Sequence, residues 1–105
     1  MEWTSELYSL VVSDEARYDI NSYVDYITYE CDAPKTGKRH ADDFLKVLRK
    51  IQKNPTAFSV RTTSSLLQYG NNVRRVNYKK MAIIYSISGF TVYVHRVIAA
   101  SMIID

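Results

Sequence analysis

The last third of the chain admits few folds. Three short runs rich in β-branched and aromatic residues follow one another closely: Val73-Arg74-Arg75-Val76-Asn77-Tyr78, then residues 81–87 (MAIIYSI), then residues 90–98 (FTVYVHRVI). Lys79-Lys80 and Ser88-Gly89 make the two joins. Connections this short cannot carry a crossover, so the runs are expected as antiparallel neighbours in a meander. The third run alternates, which places Val92, Val94, Arg96 and Ile98 on one face and Thr91, Tyr93, His95 and Val97 on the other. Such a sheet must bury a face, and the rest of the chain has to cover it.

The cover is legible upstream. Ala16, Ile20, Tyr23, Val24, Ile27 and Cys31 recur at spacings of three and four, one apolar stripe of a helix over about 14–31. Ser13 or Asp14 caps it, Asp14 and Glu15 suit its first turn, and Tyr18, Tyr26 and Tyr29 flank the stripe. Asp32-Ala33-Pro34 stops it, because the residue before proline avoids the helical region. Thr36 is the expected cap of a second helix over about 37–53, with Ala41, Phe44, Leu45, Leu48 and Ile51 as its stripe. Asn54-Pro55 ends that helix, and the pair reads as an antiparallel hairpin.

Residues 6–13 (ELYSLVVS) read as a first strand, apolar in part on both faces, which belongs inside a sheet or beside a helix layer. Residues 56–72 are the least regular. Phe58, Val60 and Arg61 suit a short strand, Leu66 and Leu67 plug the core, and Gly70-Asn71-Asn72 turns the chain. The expectation is one domain over 1–105 of the α+β class. It has two layers: an N-terminal strand, a helical hairpin, then a three- to four-stranded antiparallel meander.

Several function classes are disfavoured. Cys31 is the only cysteine, so an intramolecular disulfide and a cysteine-rich zinc site are both ruled out. His40 and His95 lie far apart with no acidic cluster beside them, so neither a metal nor another cofactor is expected. No apolar run reaches the roughly 18 residues of a membrane helix. The start, Met1-Glu2-Trp3-Thr4-Ser5-Glu6, lacks the basic residues of a secretory signal. A cytoplasmic protein is expected, and a lone thiol suits a reducing compartment. Charge is segregated: residues 1–32 hold eight acids and one base, whereas residues 33–80 hold twelve bases and two acids. A basic middle of this kind draws nucleic acid or an acidic protein, if the fold gathers it on one face.

From Leu7 to Ile104 the order, length and spacing resemble the RelE/ParE superfamily, bacterial toxins of type II toxin–antitoxin pairs. The likeness rests on the helix pattern from Ala16 to Ile27, on Ile51-Gln52-Lys53-Asn54-Pro55 at the end of the second helix, and on three strand segments. These are Val73-Arg74-Arg75-Val76, Ile83-Ile84-Tyr85-Ser86-Ile87, and Val92-Tyr93-Val94-His95-Arg96-Val97-Ile98. The resemblance implies a cognate antitoxin as partner. As target it implies first messenger RNA on the ribosome, cut by an endoribonuclease through 2′-hydroxyl attack, the commoner activity of the superfamily; the alternative is DNA gyrase, inhibited by binding. A homologue that keeps only antitoxin binding is the third possibility.

RNA cleavage needs a base at the 2′-hydroxyl, charge at the phosphate and an acid at the 5′-oxygen. Arg75 matches the arginine that the ribonuclease branch places at the phosphate, and Arg74 is the fallback, since strand neighbours face opposite ways. Two positions depart from that branch. Ala82 stands where an arginine is common, and Ala99-Ala100-Ser101-Met102-Ile103-Ile104 replaces a stretch carrying an acid–base residue. His95 and Tyr93 are the available substitutes, one for proton transfer and one for stacking. Lys53, Arg61, Arg74, Lys79 and Lys80 are candidate contacts for backbone phosphates, with Lys79 and Lys80 also readable as a plain solvated turn. His40 shows no partner pattern.

Overall fold

The computed structural model describes residues 8–103. The meander forms as expected, from β2 (Arg74–Tyr78), β3 (Met81–Ser88) and β4 (Thr91–Ala99). β1 (Ser9–Val12) adds to its far side, giving the order β1-β4-β3-β2. β1 runs parallel to β4, with Ser9 opposite Thr91 and Val12 opposite Val94. It is therefore an edge strand rather than an inner one, and Leu10 and Val12 turn towards the helices. The expected beginning of this strand, including Glu6 and Leu7, lies outside the described residues.

Ser13 caps α1 (Asp14–Asp25): its hydroxyl accepts the Ala16 N–H at 2.9 Å. The helix continues as one widened π turn, Tyr26–Glu30, before Asp32 takes a left-handed φ of 50°. The wider turn changes the phase of the stripe, so Cys31 ends up exposed although Ala16 to Ile27 face the core side. α2 spans Pro34–Lys53 and starts earlier than the sequence suggests, with Pro34 in its first turn, where a missing N–H costs nothing. Thr36 is inside the helix and does not cap it. Gly37 is buried where the two helices touch: a Cβ there would sit 2.1 Å from the Thr28 hydroxyl oxygen. Phe44, Leu48 and Ile51 are buried, whereas Leu45 is exposed, because the real stripe is narrower than the apolar spacing.

The helices cover one face of the sheet. Ala16, Phe44, Leu48 and Ile51 pack against Val76, Tyr78, Ile83, Tyr85, Val92, Val94 and Val97. Tyr85 is fully buried, and its hydroxyl donates to the Pro55 carbonyl. Burial pushes that phenol up to about 12.

The other face carries a second, smaller core of Leu66, Val73, Ala82, Ile84 and Ile103. Two short 3₁₀ turns build it. Ser64–Tyr69 lies across the face and plugs it with Leu66, while Leu67 stays exposed. Ala100–Met102 folds back from the end of β4 and brings Ile103 down. The expected strand at Phe58–Arg61 shrinks to one bridge, Val60 to Arg74.

Candidate functional site

The two faces of β4 are set by an irregularity that alternation alone does not reveal. Ile84 pairs with Arg96 and Tyr85 with Val94, which leaves His95 as an extra residue on β4. This is a β-bulge, and it reverses the in–out phase beyond it. Val92, Val94 and Val97 therefore share the helix face. The expected set of Val92, Val94, Arg96 and Ile98 is split, since Ile98 packs into the opposite core.

A bulge at the end of a short partner strand frees backbone groups, and the side chains of Ser13, at the β1–α1 junction, and Asp19, within α1, take them up. The Ser13 hydroxyl donates to the His95 carbonyl at 2.8 Å, and the Asp19 carboxylate accepts the Val97 N–H at 2.9 Å. The same carboxylate receives Arg96 twice, at 2.7 and 3.0 Å. Arg96 is thus paired, as a half-buried arginine must be.

On the face away from the helices, the structure brings Tyr93 and His95 together with Ser86. Tyr93 lies opposite Ser86 in the ladder, and the Ser86 hydroxyl shares a 2.7 Å hydrogen bond with His95 Nε2. The Tyr69 ring stacks over the His95 ring, with centroids 5.7 Å apart and planes 18° apart. Burial lowers the His95 pKa. Neutral imidazole is therefore favoured by the fold, and the unfolded chain binds the extra proton first. Stability from this residue is fully present above about pH 6.5 and is lost as pH falls towards the folded-state pKa. We expect the melting temperature to drop between pH 7 and pH 5, and His95→Gln to flatten part of that drop in a thermal scan.

Arg75 shares this face but stands apart. It pairs with Ile84, which in turn pairs with Arg96, so its Cα lies roughly 10 Å across the sheet from the bulge. Its Nε donates to Asn77 Oδ1 at 2.9 Å. Arg74 points the other way and donates to the carbonyls of Thr56 and Phe58. It thus faces away from Arg75 and clamps the segment leaving α2. Lys53 and Arg61 are exposed near that same end. Lys79 and Lys80 are exposed in the β2–β3 turn, at the opposite end of β2. The basic residues named from the sequence thus lie at two ends of the molecule rather than in one patch.

His40, which showed no pattern in the sequence, has partners here. Its Nδ1 lies 2.8 Å from the Tyr78 hydroxyl, which donates to Asp43 Oδ2 at 3.0 Å. Burial, aided by the Asp43 carboxylate, pushes the Tyr78 phenol up to about 12. Tyr23 packs edge-on against both His40 and Phe44. Tyr78 is 38 residues from His40, so no local spacing could have announced the pair. Among the described residues no three His, Cys, Asp or Glu side chains converge as a metal site, and no helix is long and apolar enough to cross a membrane.

No protein-family model matches the sequence, and no curated protein is detectably similar to it. The fold is shared, however. A solved chain from the chromosomal ParDE TA system from P. aeruginosa superposes on 89% of this chain and 96% of its own length, with a TM-score of 0.70 and 14% identity. The expected two-layer α+β architecture is therefore the observed one, and that chain shares it.

Proposed function

We propose that this protein is the toxin of a type II toxin–antitoxin pair, held inactive by a cognate antitoxin and acting in the cytoplasm. The observation that carries this is the fold, shared along nearly its whole length with a chain of a ParDE system. The sequence likeness to the toxin superfamily assigns it the toxin side of the pair.

For the mode of action, the sheet face favours binding over cleavage. His95 is tied to Ser86 and lies under Tyr69, and Arg75 is about two strand spacings away with only Asn77 on its Nε. Where the ribonuclease branch carries an arginine and an acid–base residue, Ala82 and Ile103 are packed into the small core. A protein that inhibits DNA gyrase by binding needs none of these groups. The second reading, a ribosome-dependent messenger RNA endoribonuclease, is favoured by one observation: Arg75, Tyr93 and His95 do share a face, and Tyr93 is exposed.

The test is induction of this protein alone in bacterial cells, with RNA 5′ ends mapped within minutes and plasmid supercoiling followed in parallel. Growth arrest with loss of negative supercoiling and no new RNA ends is expected. New ends inside translated codons, abolished by Arg75→Ala, would establish the ribonuclease reading instead. Undisturbed growth at full expression would remove the toxin assignment altogether.

A further inference from the structure

The β2–β3 turn meets the end of α1 and the first half of α2 around a surface groove of 490 Å³. Its walls are Tyr23, Tyr26, Ile27, His40, Lys79 and Lys80. The volume is in the range of small-molecule sites. Three features of the walls point to one ligand chemistry.

The first is the histidine. The Tyr78 phenol keeps its single proton and donates it to Asp43. The 2.8 Å contact between Tyr78 and His40 then has to be donated by His40 Nδ1. In neutral His40 this leaves Nε2 as an acceptor, and it makes no hydrogen bond among the described residues. The second feature is charge. Lys79 and Lys80 are adjacent and exposed, and neither forms an ion pair among the described residues. The third is the aromatic wall: Tyr26 is 58% exposed and leaves its ring open to a flat partner. Two free cations, a stacking ring and a lone acceptor within one groove match the phosphate, base and sugar hydroxyl of a nucleotide.

We propose that this groove binds a nucleoside phosphate, as a free nucleotide or as one unit of single-stranded RNA. Lys79 and Lys80 hold the phosphate, Tyr26 stacks on the base, and His40 Nε2 accepts from a ribose hydroxyl. The proposal stands independently of the toxin reading. The groove on the outer side of α2 provides an internal control. It is lined by Lys46, Arg49, Lys50, Lys53 and Asn54, more basic but with no ring.

The test is a titration of the full chain with 5′-AMP, followed through the NMR signals of the His40 and Tyr26 rings. Adenosine, inorganic phosphate and a hexamer of riboadenylate are titrated separately. AMP is expected to bind at least tenfold more tightly than adenosine or phosphate alone. Lys79→Asn with Lys80→Ser should weaken it at least tenfold, asparagine being chosen because Lys79 has a left-handed φ of 55°. Tyr26→Leu, at an exposed position, should weaken AMP while leaving phosphate unchanged. Lys46→Ala with Arg49→Ala should change AMP affinity less than twofold. Tighter binding of the hexamer than of AMP identifies RNA as the source of the nucleotide, and equal or weaker binding identifies a free nucleotide. The proposal is overturned if neither AMP nor the hexamer saturates the His40 signal, if phosphate binds as well as AMP, or if the α2 control loses as much. Saturation of the same signals by a glutamate-rich peptide, without nucleotide binding, would also overturn it and assign the groove to an acidic protein.

Discussion

Asp19→Ala is expected to cost about 3–5 kcal/mol of unfolding free energy, a large share of what holds a domain of this size together. One carboxylate serves three donors: two N–H groups of Arg96 and the backbone N–H of Val97. Asp19 has only 11% of its side chain exposed, and Arg96 31%. Alanine would leave a half-buried cation and an unpaired edge amide with little access to water. The Coulombic attraction is the smaller part of this effect, and the abandoned partners are the larger. Asp19→Ala combined with Arg96→Met is therefore expected to be less damaging than Asp19→Ala alone, because the cation is gone. Urea unfolding of the single and double variants measures the difference. A single variant within 1 kcal/mol of the parent would mean that Glu15, 3.9 Å from Arg96, takes over the pairing.

Leu66→Ala is expected to cost about 2–5 kcal/mol. The damage should be local. Leu66 is buried between Val73, Ala82, Ile84 and Ile103, and it is the anchor of the 3₁₀ turn that carries Tyr69 over His95. Hydrogen exchange should quicken at Arg61, Leu66 and Gly70, whose amides bond to Val73, Thr63 and Leu67, while amides within α1 and α2 keep their protection. His95 should titrate closer to the ordinary value near 6.5 once the tyrosine no longer shields it. Uniform loss of protection through both helices would show instead that the two cores unfold as one unit.

The meander and both helices were legible because their signals are local: short joins, a period of two, a period near 3.6. The parallel placement of β1 was not, since nothing within residues 9–12 says which distant strand receives them. The bulge at His95 shows the limit most clearly. Strict alternation in the sequence of β4 gave the wrong partition of its faces, because one extra residue opposite β3 reverses every side chain after it. The same applies to the π turn and Cys31. Within the candidate site, the sequence favoured Arg75 over Arg74, but their faces were not legible. The ladder places Arg74 opposite Tyr85 on the helix face and Arg75 opposite Ile84 on the other. His40 was missed for a plainer reason. Its partner is a tyrosine on a strand, and tyrosines are common in this chain.

The β1–β4 pairing also governs when the molecule can exist. Ser9 meets Thr91, so the first of the described strands waits for the last to be synthesised. Until then α1 and α2 have no finished sheet to lie on, and their apolar stripes stay open to water or to other chains. Closure of so long a loop is slow compared with the hairpins β2–β3 and β3–β4, which form from neighbours. The complete sheet therefore forms only once β4 has been made and has met β1. A partner that engages the chain before the sheet closes would meet apolar stripes that the finished molecule hides.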